Sequence, residues 1–313
     1  MEYVLYAGGR LITAVPVLFG TTLIVFFMIH LVPGDPAATL LGVHATSAAV
    51  TAMHHQLGLD QPVWQQYLEF LNHLLHGNLG HSFFYDSSVT SLVQGRISAT
   101  LWLVIASAIF AVAISVPLAV WAASRRGGVA DNVIRVVPLF GLGMPHFWLG
   151  IMLILIFALK LGLFPVAGFG ENVVGHLQGI VLPALTVALS LTPILVRSLR
   201  TSMIEVLGSD YITTARAKGI GAGRVVFAHA LRNAAVSSIT VLGVNIAYLV
   251  GSTLVVERVF SLPGIGSLMI DGIFNRDFPV VQGVTMVFAV MVVAVNLLTD
   301  VTHASLDPRV RLR

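Results

Sequence analysis

Six long apolar runs organise the chain: Leu11 to Ile29, and then about Ile97 to Ala123, Val133 to Leu159, Ile180 to Val196, Ala234 to Val256 and Val280 to Leu298. Each is at least as long as the roughly 17 to 25 residues that a helix needs to cross a bilayer core. No water is present at that depth to satisfy backbone groups, so each run predicts an α-helix. The chain therefore reads as an all-α integral membrane protein with six transmembrane helices. The first run follows Arg10 and ends in His30-Leu31-Val32-Pro33-Gly34-Asp35-Pro36. That ending offers no small-x-small cleavage site, so the run reads as a retained span rather than a secretory signal.

Between the first two runs, Val32 to Arg96 is polar by comparison. Within it, Pro62 to His76 sets Val63, Trp64, Tyr67, Leu68, Phe70, Leu71, Leu74 and Leu75 at helical spacing, with Asp60 as the expected cap and Gly77 as the stop. A second short helix is expected around Ala48 to Leu57. This insert is too short to build its own core and must pack on the membrane domain. Its histidines, His54, His55, His73, His76 and His81, read as solvated rather than metal-binding. The adjacent pair cannot share a helix face, and no carboxylate completes a convincing set. The expected division is 1–31 for the N-terminus and first span, 32–96 for the insert, 97–301 for a five-helix core with a basic loop at 197–233, and 302–313 for a tail.

Charge sets the orientation. Thirteen of the 17 Lys and Arg residues fall on the side that holds both termini, with only Arg96, Arg258 and Arg276 on the other and Lys160 at a span end. The excess of cations marks the cytoplasmic side, so both termini and the 197–233 loop are expected inside and the insert outside. Composition agrees with a bilayer protein: 57% of residues are apolar and 10% charged, against about 25% charged in soluble domains. A net charge of only +3 gives no case for nucleic acid. The chain has no cysteine, which excludes disulfides, thiolate catalysis and Cys-ligated metals.

Candidate chemistry lies in three places. The third run carries Gly141, Gly143 and Pro145-His146-Phe147-Trp148, which predicts a kink with an ionisable ring at membrane depth. With Asn245, Ser252 and Thr253 on the fifth run and Asn296 on the sixth, His146 suits a polar path. The same groups equally suit hydrogen bonds that fasten the bundle. After the fifth run, Glu257 and Arg258 are expected just past a span end, and Pro263, Gly264 and Gly266 build a compact turn that suits a gate or cap over a cavity. The third place is Asp210 to Asn233, the most basic stretch between apolar runs. Asp210 as N-cap, a two-turn helix from Tyr211 to Lys218, and Gly219 as its left-handed stop predict a thin basic knob; after a turn at Gly221 and Gly223, a second helical stretch from Arg224 to Asn233 leads back to the apolar run near Ala234. Arg216 and Lys218 sit where the helix dipole favours cations.

Thr213, Thr214, Ala215 and Gly219 resemble the cytoplasmic EAA loop of permease subunits from binding-protein-dependent ABC importers. In that pattern Glu-Ala-Ala precedes a Gly and Ile-x-Leu-Pro follows. Here Thr213 stands for the Glu, Thr214 for the first Ala, His229 for the Ile and Arg232 for the Pro, while Ala215, Gly219 and Leu231 match. Further blocks are similar to the dipeptide and oligopeptide permease family over essentially the whole chain: Pro33-Gly34-Asp35-Pro36, Leu57-Gly58-Leu59-Asp60, Gln66-Tyr67-Leu68, Gly77-Asn78-Leu79-Gly80-His81-Ser82, Glu257 to Gly266, Arg276 to Gly283, Asn296 to Asp300 and Asp307 to Arg311. Asn78 stands where that family often has Asp.

The resemblance implies a type I importer transmembrane domain, MetI-like, with a small extracytoplasmic helical insert between helices 1 and 2, in a bacterial plasma membrane. It implies a second homologous permease, two ATPase subunits and an external substrate-binding protein as partners, with lipid around them. ATP and Mg would sit on the partner subunits, and this chain would bind no cofactor of its own. Tyr211, Thr213, Thr214, Ala215, Arg216, Lys218 and Gly219 would couple to the ATPases. His146, Asn245, Ser252, Glu257, Pro263 and Gly264 are the candidates for the path or its gate. The family carries di- and oligopeptides, and also nickel complexes, glutathione or haem. The residues agree that energy comes from elsewhere, because the sequence has no G-x-x-x-x-G-K-[ST] loop. A secondary transporter would favour inverted repeats and buried carboxylates in the spans, and neither is evident in the sequence. An intramembrane hydrolase would need H-E-x-x-H or G-x-S-x-G, and both are absent.

Overall fold

A computed structural model describes residues 2–31, 46–56, 59–136, 143–170 and 172–306. The chain begins with α1 (Glu2–Leu31), then the insert helices α2 (Ser47–Gln56) and α3 (Val63–Leu75). A small hairpin follows, β1 (His81–Ser82) pairing antiparallel with β2 (Ser87–Ser88), and it leads straight into α4 (Val89–Ser124). Next come α5 (Val129–Val136) and α6 (His146–Leu153), the latter continued by a wider π-helical segment over Ile154–Lys160. Then come α7 (Val173–Leu207), α8 (Asp210–Ala217) and the short α9 (Ala222–Arg224). A second π-helical segment, Val225–Leu231, joins α9 to α10 (Arg232–Val259), which is followed by α11 (Ile265–Phe274) and α12 (Phe278–Leu306).

Among the described residues, four helices are long and apolar enough to cross a membrane: Val89–Ser124, Val173–Leu207, Ser238–Val259 and Phe278–Thr302. The apolar segments Ile12–Met28, inside the 30-residue α1, and His146–Lys160 make up the six that were expected. The expected third span, Val133 to Leu159, is not one helix. Pro145 has extended backbone (φ −60°, ψ 138°) and caps a new helix whose first residue is His146. A proline has no N–H to donate and its ring crowds the preceding turn, so it starts a helix more readily than it continues one. His146 therefore stands at a helix beginning and not in mid-span; Gly141 lies outside the described residues. The second helical stretch expected from Arg224 to Asn233 is present, as α9, its π-helical segment and the start of α10, which run unbroken into the fifth span. Outside the described residues also lie Pro33-Gly34-Asp35-Pro36, Leu57-Gly58 and the terminal Asp307-Pro308-Arg309-Val310-Arg311.

The chain forms two compact units. The first comprises residues 1–11, 98–267 and 291–313. Its core gathers Leu103 and Ala111 of α4, Leu153 of α6, Leu182, Val187, Leu191 and Leu195 of α7, and Leu249 and Val256 of α10. α7 is the central helix: 72% of its most apolar window is buried, against 28% for α10. The other spans leave more of their apolar surface outside this core.

The second unit comprises residues 12–97 and 268–290. Here α3 rests on α1 through Tyr67, whose hydroxyl meets Thr22 Oγ1 at 2.9 Å and whose ring packs edge-on against Phe19 and Phe26. Asp60 does not cap α3 as expected. Pro62 occupies the cap position with no side-chain bond, and the Asp60 carboxylate faces His55 Nδ1 at 2.6 Å. Gly77 does end the turn after α3, with φ +73°. The hairpin is held by Asp277, which is 1% exposed and accepts hydrogen bonds from Ser82 Oγ (2.5 Å) and the Phe84 N–H (3.2 Å). Arg96 lies over the Tyr85 ring, 5.3 Å from its centroid.

Candidate functional site

The basic stretch forms the knob its sequence predicts. α8 runs from Asp210 to Ala217, but its N-cap is Ser209 rather than Asp210, which takes the first helical position. There its carboxylate still meets the positive end of the helix dipole. The far end closes by two bonds: the Gly219 N–H donates to the Arg216 carbonyl (2.9 Å) and the Ile220 N–H to the Ala215 carbonyl (3.2 Å). This paired closure requires a left-handed residue, and Gly219 supplies it with φ +78°. Ile212 and Ala215 are buried at 0% and 8% exposure, and Asn233 Nδ2 donates to the Tyr211 hydroxyl at 2.8 Å. Those contacts fix the knob to its own chain. The opposite face, with Thr213, Thr214, Arg216, Lys218 and Gly219, is exposed.

Behind the knob lies an ion pair that charge counting did not single out. Arg200 of α7 donates through Nε and Nη2 to the two oxygens of Asp131 on α5, at 2.6 and 2.7 Å, and the Gly127 N–H adds a third bond at 3.0 Å. Both side chains are largely buried, at 16% and 2% exposure. A fork-on-carboxylate pair has fixed geometry as well as charge, so it pins α7 about three turns before α8 begins. In the sequence, Arg200 is only one of several loop cations.

The turn after α10 is organised around a buried carboxyl group. Glu257 is not past the span end: it lies in the last turn of α10 and is fully buried. Thr100 of α4 donates its hydroxyl to Glu257 Oε1 at 2.6 Å, and the backbone N–H groups of Ser267 and Gly266 donate to the same carboxyl group, the first at 2.9 Å. The remaining N–H of that helix start, on Ile265, donates to Thr100 Oγ1 at 3.0 Å. Each helix leaves its first N–H groups without intrahelical partners. At α11 the preceding residue is Gly264, which has no side chain to offer, so Glu257 and Thr100 cap the helix from two other helices.

The glycines of Leu262-Pro263-Gly264-Ile265-Gly266 follow from that arrangement. A Cβ on Gly264 would meet the Glu257 carboxyl group, and one on Gly266 would come within 2.8 Å of the Leu254 Cα. Pro263 is exposed at the bend, where the Gly264 N–H donates back to the Leu262 carbonyl (2.8 Å). The sequence shows this string only as a turn. What it does not show is that the Glu257 carboxylate, seven and nine residues before Gly264 and Gly266, fills the space the glycines leave, nor that Thr100 completes the cap.

The other path candidates are placed singly. Ser190 Oγ donates to the Val187 carbonyl (2.7 Å), so His146 Nε2 is the donor in its 2.9 Å contact with Ser190. Asn245 donates to the Val241 carbonyl and Ser252 to the Leu249 carbonyl of their own helix. The structure thus joins His146 to α7, while Asn245 and Ser252, seven residues apart on one stripe of α10, are half-buried and bonded locally.

Residues 115–312 match the family of binding-protein-dependent transport system inner membrane components, and residues 4–104 match the N-terminal part of the same group of proteins. The chain is 37% identical to the dipeptide transport system permease protein DppB of Escherichia coli (strain K12), over 96% of this chain and 97% of that one. It is 34% identical to the glutathione transport system permease protein GsiC of Escherichia coli O6:H1, over 98% of this chain and 99% of that one. Among solved structures, the MetNI methionine ABC transporter in inward-facing conformations shares the fold with a TM-score of 0.59 at 17% identity, covering 69% of this chain and 96% of that one. An amino acid ABC transporter with histidines is similar at a TM-score of 0.51, covering 69% of this chain and 94% of that one. These matches fit the type I importer architecture, and the chain belongs to the binding-protein-dependent transport system inner membrane components, as a permease subunit of such an importer.

Proposed function

We propose that this permease forms half of the path by which an ATP-driven importer carries short peptides across a bacterial plasma membrane. Its cargo would be delivered by an external binding protein, and its partners would be a second homologous permease and two ATPase subunits. The observation that carries the cargo is the pair of relatives matched over nearly their full lengths, one named for dipeptides and one for glutathione, itself a tripeptide. Both ligands are small and carry free amino and carboxylate groups on either side of one or two amide bonds. The exposed face of α8 supports ATPase docking, and the distribution of Lys and Arg supports a cytoplasmic position for α8 and both termini. ATP and Mg would bind the partner subunits, because this sequence carries no phosphate loop.

In this reading Glu257, Pro263 and Gly264 form a rigid outer turn beside the path. Asn245 and Ser252 lend it polarity along α10, and His146 holds the start of α6 against α7. The test is uptake of a labelled dipeptide into proteoliposomes holding the complete importer and its binding protein. Uptake should need ATP inside or outside according to orientation, and unlabelled dipeptide should compete where a nickel chelate or haem does not. Competition by the nickel chelate or haem alone would reassign the cargo and leave the importer class standing.

A further inference from the structure

α3 carries more apolar surface than its own chain covers. At 100° per residue its apolar positions fill a continuous arc of about 160°, wider than the roughly 100° that docking on a core requires. One side of that arc, Tyr67 and Phe70, is spent on α1. The other side holds Trp64, Leu68 and Leu75, exposed at 62%, 55% and 85%. The polar arc bears Gln65, Glu69, Asn72 and His73, while Gln66 turns back to the Gln61 carbonyl at 2.8 Å.

The depth of α3 identifies what covers the exposed side. Its contacts fall on Phe19, Thr22 and Phe26, inside the apolar segment Ile12–Met28 of α1. Thr22 lies six residues from Met28, the end that leads into the insert. At 1.5 Å per residue that is about 9 Å below the edge of the apolar segment. An amphipathic helix lying in a membrane surface buries its apolar face about 5 to 10 Å into the boundary of headgroups and acyl chains. Apolar surface is exposed at this level of α1 as well, where Ile24, turned away from α3, is 73% exposed, and the α3 stripe adds to it. Trp64 at its start is the residue type enriched at that boundary.

We infer that α3 is an in-plane membrane helix, with Trp64, Leu68 and Leu75 in the lipid of the leaflet next to the insert and Glu69 and Asn72 at the headgroups. The insert is thus moored to the bilayer as well as to α1.

The chain has no cysteine, so nitroxide labels can be placed singly at Leu68→Cys, Leu75→Cys, Glu69→Cys and Asn72→Cys. The measurement is made on the complete importer, its other subunits freed of cysteine, in liposomes and without binding protein. Labels at 68 and 75 should collide several-fold more with oxygen, which concentrates in lipid, than with a water-soluble nickel chelate, and labels at 69 and 72 should show the reverse. Equal access of the nickel chelate to all four labels would overturn the inference by placing the stripe in water. Shielding of 68 and 75 from both reagents would overturn it by placing the stripe against protein, the second permease being the candidate. Neither outcome depends on which cargo is carried.

Discussion

Gly219→Val is expected to abolish uptake while the permease still inserts and the binding protein still takes up its cargo. A β-branched residue forced to φ +78° costs about 1 to 3 kcal/mol, and a helix of only eight residues has little with which to absorb that. Nothing in the chain lies within 4 Å of the Cβ that would be added, so the effect is not an internal clash. It is loss of the two closing bonds at Arg216 and Ala215, with the exposed face of α8 misaligned as a consequence. Gly219→Asn, which tolerates the left-handed region, should retain most uptake. Arg216→Ala should matter far less, because an exposed charge contributes about 0 to 1 kcal/mol. The readouts are uptake and ATPase copurification, and normal values of both in Gly219→Val would contradict the role given to this helix end.

The second large effect concerns the cap at the start of α11. Glu257→Ala leaves the Gly266 and Ser267 N–H groups and the Thr100 hydroxyl without their acceptor in a site where Glu257 is fully buried. Each orphaned buried donor costs about 1 to 3 kcal/mol, so the assembled complex should melt many degrees lower or fail to accumulate. Glu257→Gln should be far milder. Its amide oxygen can face the two N–H groups while its NH2 donates to Thr100 Oγ1, which already accepts from Ile265. Gly266→Ala should match Glu257→Ala in severity, since its Cβ would press on the Leu254 backbone. The check is the thermal midpoint of the purified complex, and a Glu257→Ala complex as stable as the parent would refute the capping account.

The parts of this structure legible in the sequence are those fixed by short-range rules. Hydrophobic run length located the spans, and glycine at a helix end located the close of α8, because both depend on neighbours within a few residues. Pro145 was legible as a disturbance, yet whether a proline kinks a helix or begins another depends on packing that no local pattern contains. The least legible features are the pairings between distant residues. Glu257 with Thr100 is separated by 157 positions and Asp131 with Arg200 by 69. A buried carboxylate needs such partners, so Glu257 inside an apolar helix was a signal that some donor set existed. Its wrong placement, past the span end, hid that signal. α11 was missed for a related reason: its cap is supplied by another part of the chain, so no start signal stands before it.

The central claim is that this permease is driven by ATPase subunits seated on the exposed face of α8. The most direct measurement places a single cysteine at Thr214 or Lys218 in the otherwise cysteine-free chain and treats the assembled importer with a short bifunctional reagent, the ATPase subunits each carrying one cysteine in the groove that faces the membrane. The account predicts a cross-link from both positions to an ATPase subunit, from the side of the membrane where ATP drives uptake, and none from a cysteine placed at Asn72 on the insert. Cross-linking from Asn72 with none from Thr214 or Lys218, in a complex that still imports, would contradict it.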